Sequence, residues 1–129
     1  MPTTTTLVLD FPPSANTYTK HRVAVHRDGK SFVTTYTSQR GKDFKKSTRQ
    51  VVKRVIAELP LTGRLAVHIM LHAPNNRRYD IDNRVKPLLD ALQHAGLFLD
   101  DEQVDAIEVQ RGPVQPNDGM ALVVVDQLL

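Results

Sequence analysis

The chain has 129 residues, of which 40% are hydrophobic, 5% are aromatic and none is cysteine. These figures predict one domain, 1–129, with an aliphatic core, and they exclude disulfides, thiolate catalysis and cysteine-based zinc sites. The formal charge of +3 favours a polyanionic partner without establishing one. We expect a soluble, cytoplasmic protein with no membrane partner, because no apolar run could span a bilayer and the start has no signal-peptide layout.

The first predicted elements are a strand, a hairpin and a helix. Strand 7–11 is a short apolar run that ends at a double proline, which cannot continue a central strand. Strands 23–26 and 31–35 flank an Asp-Gly turn, which is typical of hairpins. Apolar residues then recur at spacings of three, four and seven, which predicts an amphipathic helix over 37–59 that Pro60 ends.

The second half of the chain predicts a strand, a helix and a further hairpin. Strand 65–71 alternates with period two, and helix 82–94 is followed by Gly96 as its stop. Strands 104–109 and 121–125 are β-prone and are separated by an Asn-Asp-Gly turn. The order of elements predicts an α+β fold, in which one mixed β-sheet of about five to six strands carries two main helices.

Two aspartates spaced by one residue, Asp80 and Asp82, are the centre of the candidate site. In an extended segment their side chains would point the same way, about 7 Å apart, so both could converge on one hard cation. Lys86 lies one helical turn after Asp82, on the same side. Asp101 can join them, because the helix advances about 18 Å and the seven residues after it can span about 23 Å.

Three carboxylates around one point would repel each other and take up protons unless a cation balanced them. Mg²⁺ fits such a set, because it takes oxygen ligands, retains water and accepts phosphate oxygens, and Mn²⁺ could substitute for it. The pocket therefore suits phosphodiester hydrolysis. The metal would lower the pKa of a bound water, and Lys86 would balance the charge of the transition state.

The acidic residues also allow other interpretations. An isolated Asp-x-Asp pair is common in turns and helix caps, and Asp100 with Asp101 fits a solvated turn when taken alone. An EF-hand loop beginning at Asp80 is excluded, because Val85 and Ala91 stand where glycine and glutamate are needed. A phosphatase-type aspartate nucleophile is disfavoured, because a basic and aromatic stretch precedes Asp80 in place of a buried apolar strand.

Several short motifs occur in a fixed order along the chain: Phe11-Pro12-Pro13-Ser14-x-Asn16, Asp80-x-Asp82-Asn83-x-x-Lys86, Leu89-Asp90-Ala91-Leu92, Asp100-Asp101 and Gln103-Val104. Together they resemble the signature of the RusA family of Holliday junction resolvases, and the likeness covers most of the chain. The resemblance implies a homodimer that binds four-way DNA and nicks two strands of like polarity. It assigns Asp80, Asp82 and Asp101 as Mg²⁺ ligands, Lys86 as an essential catalytic residue and Asp100 as a supporting residue.

DNA contacts are expected from polar and basic residues near this site: Asn16, Lys20, Arg22, Arg77, Arg78 and Arg84. A plain surface loop is the alternative for the segment 16–22, and a solvated face is favoured over phosphate contacts for the lysines of the first long helix. Two rival functions stay open. One is a nuclease for flaps or other branched DNA without strict four-way specificity, and the other is a non-catalytic DNA-binding module with structural acids.

Overall fold

The computed structural model describes residues 3–129, so Met1 and Pro2 of the predicted domain lie outside it. The strands are β1 (Thr4–Leu9), β2 (Thr19–Val25), β3 (Ser31–Thr37), β4 (Leu65–His72), β5 (Val104–Arg111) and β6 (Met120–Gln127). The helices are α1 (Ala15–Tyr18), α2 (Gln39–Val52) and α3 (Val85–His94), and 3₁₀ turns cover Asp82–Arg84 and Asp101–Gln103. Between residues 3 and 129, no helix has the length and apolar character needed to cross a membrane.

The strands form two separate sheets, and the α+β class is confirmed. One sheet has four strands in the order β1-β6-β4-β5, with β4 and β5 parallel and the other pairs antiparallel. The second sheet is the hairpin β2-β3, which the Asp-Gly turn predicted. The predicted hairpin of the last two strands is wrong, because β6 lies between β1 and β4. Strand β6 pairs along its length with both β1 and β4, whereas β5 is largely exposed at an edge.

The core lies between the four-stranded sheet and the two longer helices. Alternate residues of the sheet face it: Leu7, Leu9, Leu65, Val67, Ile69, Leu71, Ala121, Val123 and Val125. Helix α3 adds Leu88 and Leu92, and α2 adds Phe44 and Val52. Burial of each large aliphatic side chain contributes about 1.5–3 kcal/mol, so this layer supplies most of the stabilisation.

Helix α2 ends at Val52, several residues before the predicted end at Pro60. The spacing of apolar residues continues, but Val55 is only partly buried and Ile56 is 103% exposed. β-Branched residues have low helix propensity, and those beyond Val52 do not all reach the core that would compensate for it. At the other end, Ser38 caps the helix by accepting a hydrogen bond from the Gly41 amide at 3.1 Å.

The hairpin β2-β3 is attached to the rest of the fold at its base. The amide of Ser38 donates to the carbonyl of Tyr18 at 3.0 Å, which joins the start of α2 to α1. A side chain at Gly41 would come within 2.9 Å of the same carbonyl, so glycine permits this close approach. The hydroxyl of Tyr18 donates to Asp90 of α3. These contacts position the hairpin beside the face of α3 that carries the candidate site.

Helix α3 ends as the sequence predicts. Gly96 has a φ of +86°, and the amide of Leu97 donates to the carbonyl of Leu92 at 3.1 Å. This left-handed termination turns the chain back, and it runs along the helix to the 3₁₀ turn Asp101–Gln103. The reversal places residues that follow α3 beside residues that begin it.

Candidate active site

Asp80 and Asp82 lie on the segment that joins β4 to α3, and both are exposed. Asp82 begins a 3₁₀ turn, and Ile81 between the two aspartates has a helical backbone with φ −66° and ψ −36°. The segment is therefore not extended, and the strand geometry that oriented the two carboxylates in the sequence analysis does not apply. Unlike the carboxylate of Asp101, neither has an ion-pair or hydrogen-bond partner among residues 3–129.

Tyr79 anchors this segment immediately before Asp80. Its ring meets Phe11 edge-to-face, with the centroids 5.4 Å apart. The guanidinium carbons of Arg84 and Arg111 lie 5.5 Å and 4.1 Å from the same ring centroid. Arg111 also donates to the Tyr79 carbonyl at 2.9 Å. Each cation–π contact contributes about 0.5–2 kcal/mol, so the backbone that carries Asp80 is fixed mainly through its neighbour's ring.

Arg84 is partly buried, although the sequence analysis predicted it as a DNA contact. Its Nη1 donates to the Pro12 carbonyl at 2.7 Å, and its guanidinium lies 5.0 Å from the Phe11 ring centroid. Burial lowers the pKa of Arg84, and the charge of nearby Arg40 acts in the same direction. These contacts join the segment before α3 to the double-proline segment, and a DNA contact of Arg84 stays a prediction.

Lys86 and Asp101 are brought together by the chain reversal after α3. The Nζ of Lys86 donates to Oδ2 of Asp101 at 2.7 Å. This hydrogen bond raises the pKa of Lys86 and lowers the pKa of Asp101, so both groups are held in their charged forms. The acidic neighbours that act on the ammonium are Asp101, Asp90 and Asp100. The ammonium therefore faces Asp101, whereas the helical spacing had placed it beside Asp82.

The acidic turn is held by the side chains of Gln93 and Gln103, to which the sequence analysis gave no structural role. Asp100 caps the turn by accepting from the Glu102 amide at 2.9 Å, and Gln103 accepts from the Asp100 amide at 3.2 Å. Gln93 of α3 accepts from the Asp101 amide at 2.9 Å. The spacing Asp-x-x-Gln is a capping-box signal and could have identified Gln103, whereas no local pattern marks Gln93.

A cleft of about 460 Å³ lies beside the Tyr79 segment, and four arginines are among the residues that line it. Its arginines come from three parts of the chain: Arg40, Arg77, Arg78 and Arg84. Two acids, Asp10 and Asp43, also line it. Arg77 and Arg78 are exposed there, next to the candidate metal ligands, while Arg40 in the first turn of α2 was not predicted. Such a cluster suits phosphate oxygens, which guanidinium groups bind in bidentate geometry.

The other predicted DNA contacts lie outside this cleft. Asn16 is exposed on α1, and Lys20 and Arg22 are exposed on β2. The guanidinium of Arg22 lies 5.2 Å from the ring centroid of Tyr36 on β3. The predicted contacts therefore divide between a cleft next to the acidic residues and a separate region formed by α1 and the hairpin, and their DNA-binding role stays a prediction.

The donor set agrees in chemistry with Mg²⁺, since it offers hard carboxylate oxygens, and two of its three aspartates are exposed and have no partner within residues 3–129. The described part of the chain contains no preformed group of three or more histidine or acidic side chains that could hold a metal ion. Asp101 is instead engaged by Lys86. The convergence of Asp80, Asp82 and Asp101 on one ion therefore stays a prediction.

Comparison with known proteins agrees with the resemblance noted in the sequence. The profile of the family Endodeoxyribonuclease RusA matches residues 10–124. The chain is 34% identical to the crossover junction endodeoxyribonuclease of Enterobacteria phage HK97, over 92% of each protein. It is 29% identical to that of Escherichia coli K12 over 95% of each protein, and 29% identical to that of Enterobacteria phage 82 over 93% of this chain and 92% of the relative. The chain belongs to the RusA family and is an endodeoxyribonuclease that hydrolyses phosphodiester bonds of DNA.

Proposed function

We propose that this endonuclease is a Mg²⁺-dependent Holliday junction resolvase that acts as a homodimer in DNA recombination and repair. Relatives named crossover junction endodeoxyribonucleases match it over more than nine-tenths of its length, which supports the substrate. One structural observation carries the catalytic assignment. Lys86 and Asp101, fifteen residues apart, form an ion pair at the helix that the unpaired Asp80 and Asp82 precede.

In this proposal Asp80, Asp82 and Asp101 would hold the metal, and Mn²⁺ could replace Mg²⁺. When bound, the ion lowers the pKa of a coordinated water and polarises the scissile phosphate. Lys86 keeps its proton, because the hydrogen bond to Asp101 raises its pKa. Its positive charge stabilises the charge that develops on the phosphate oxygens as the phosphorus–oxygen bond of the strand breaks.

Arg77 and Arg78 are proposed to bind backbone phosphates beside the acidic residues, since both are exposed in the arginine-lined cleft. Backbone contacts orient a nuclease without reading sequence. Asn16 on α1 and Lys20 and Arg22 on the hairpin would contact a second part of the junction. A two-fold symmetric homodimer suits this substrate, because two equivalent sites can make two symmetric cuts. A reducing cytoplasm is consistent with a chain that has no cysteine.

The test uses purified full-length protein and a synthetic four-way junction labelled on each strand in turn. We expect paired nicks with Mg²⁺ or Mn²⁺ and none with EDTA. A flap, a three-way junction and a linear duplex of the same sequence serve as matched substrates. Equal cutting of the flap would favour the nuclease for branched DNA in general, and binding without metal-dependent cutting of any substrate would contradict the proposal.

A further inference from the structure

Four cations form a line on the exposed side of α2 and its cap: Lys42, Lys46, Arg49 and Lys53. Their spacing of four, three and four residues keeps them within an arc of about 60° at about 100° per residue. The buried residues of the helix lie on another side: Gly41, Phe44, Thr48 and Val52. We call these four cations the α2 stripe.

The charges of the α2 stripe are not neutralised within the protein. None of the four side chains forms an ion pair or a hydrogen bond with another part of residues 3–129, whereas Lys45 of the same helix lies 3.8 Å from Asp90. Like charges three or four residues apart repel each other and destabilise a helix. The stripe therefore carries an unbalanced repulsion that a bound polyanion would relieve.

The α2 stripe and the arginine-lined cleft lie on different sides of α2, because Lys42 and Arg40 are two residues, or about 200°, apart around the helix. Lys42 lies in the first turn of α2 with Arg40, and Arg40 lines the cleft together with Arg77 and Arg78. From Lys42 the stripe extends about 16 Å along the helix. A DNA duplex carries one negative charge per about 1.7 Å of its axis, so phosphates are available along this whole length.

We propose that the α2 stripe binds the phosphate backbone of one duplex arm of the substrate, beyond the nucleotides at the cleavage site. This inference rests on the proposed function for the identity of the substrate. The stripe offers separate cations and no preformed cleft, so its contacts with the arm are independent of sequence. The α2 stripe increases the affinity for the junction and the dependence of that affinity on salt. It does not change the rate at which bound DNA is cut.

The test is the triple variant Lys42→Gln/Lys46→Gln/Arg49→Gln, measured by binding to a four-way junction in EDTA over a range of salt concentrations. Each phosphate contact adds about 0.9 to the slope of log affinity against log salt, so the triple variant should lose about 2.7 of the slope. Between 50 and 200 mM salt the wild-type protein should then lose about 40-fold more affinity than the variant.

Two controls distinguish binding by the α2 stripe from a general effect of the protein's positive charge. The variant Lys42→Arg/Lys46→Arg/Arg49→Lys changes the same positions but keeps their charge, and it should bind as the wild type does. For single charges, Lys46→Gln is compared with Arg54→Gln. Arg54 is equally exposed but lines a separate cleft against β1, so its loss should leave the slope unchanged.

Junctions with short and long arms give a second measurement. The wild-type protein should gain affinity as the arms lengthen, and the triple variant should gain much less. The inference fails if the triple variant keeps the wild-type slope and arm-length dependence, or if Arg54→Gln reduces the slope as much as Lys46→Gln. Cutting at saturating junction tests the proposed function separately, because a wild-type protein that binds junctions and cuts none of them contradicts that function and not the stripe.

Discussion

The two halves of the candidate active site differ in how they are held. One half, made of Lys86 in α3 and the turn after α3 that carries Asp101, is already hydrogen-bonded in the protein alone: a capping box closes the turn, and Gln93 fixes its backbone. The half that precedes α3 leaves the carboxylates of Asp80 and Asp82 exposed and unpaired, on backbone anchored through the ring of Tyr79.

This difference indicates how the two halves would respond to a cation. The turn at Asp101 is positioned by the fold itself, so its geometry should not depend on metal. Asp80 and Asp82 have no ion-pair or hydrogen-bond partner among residues 3–129, so in the proposed function a bound cation would be their first partner. Substitutions of the glutamines that hold the turn, Gln93 and Gln103, should therefore mainly affect stability, and substitutions of Asp80 and Asp82 should mainly affect cutting.

The largest expected effect is on junction cutting, and it comes from substitution of Asp80 or Asp82. Asp80→Asn or Asp82→Asn should reduce junction cutting by about 100-fold or more, because each removes a charged metal ligand. Stability should be unchanged, because neither carboxylate contributes an ion pair within residues 3–129. Cutting in Mg²⁺ and junction binding in EDTA are measured on the same preparations. Loss of binding together with loss of folding would instead show these aspartates to be structural.

The next largest expected effect is on stability, and it comes from Tyr79, which anchors the segment that carries Asp80. Tyr79→Ala should cost about 2–3 kcal/mol in urea unfolding, because it removes a large, partly buried ring and its contacts with Phe11, Arg84 and Arg111. The matched variant Tyr79→Phe should be neutral or slightly stabilising, because the buried hydroxyl has no hydrogen-bond partner in the described structure. A large loss in the phenylalanine variant would mean that the hydroxyl does have a partner.

In the hydrogen-bonded half, Gln103→Ala should cost about 1–2 kcal/mol in urea unfolding, in the range of other lost caps. Its amide accepts from the backbone of Leu99 and Asp100 and donates to the carbonyls of Leu61 and Gly63. The loss should be the same with Mg²⁺ and with EDTA. A loss that appears only without metal would show that the ion, and not the capping box, holds this turn.

The smallest expected effect on stability concerns the ion pair of Lys86 and Asp101, whose side chains are 71% and 29% exposed. Because of this exposure, the pair should contribute no more than about 1 kcal/mol. The pKa of Asp101 is lowered, so this contribution is present above the unfolded pKa and is lost as pH falls through the folded value. The raised pKa of Lys86 sets the opposite limit, since the contribution is lost as pH rises through it.

The measurement compares the free energy of unfolding of the wild-type protein and of Asp101→Asn as a function of pH, in EDTA. The difference should be present near neutral pH and should disappear in strong acid. A difference that persists unchanged below the pKa of Asp101 would mean that this side chain stabilises the fold through contacts other than the ion pair.

Local signals in the sequence were sufficient for several elements. The Asp-Gly turn specifies the hairpin β2-β3, and Gly96 marks the end of α3 because its backbone takes a positive φ. Several short motifs, taken together in their order along the chain, were enough to identify the family that the profile match then showed. In these cases the information lies within a few neighbouring residues, where backbone preferences and side-chain spacing act directly.

Tertiary structure decided the features that depend on distant partners. The central place of β6 depends on its pairing with both β1 and β4, which are far from it in the sequence. The end of α2 depends on which β-branched residues reach the core, and the burial of Arg84 depends on Phe11 and Tyr79. The contact of Lys86 with Asp101 required the chain to reverse after α3. The spacing of these residues along the sequence is compatible with the contacts, but packing between distant segments determines which contacts form. The energy of each contact depends on two residues that are far apart in the sequence, so no local pattern includes both.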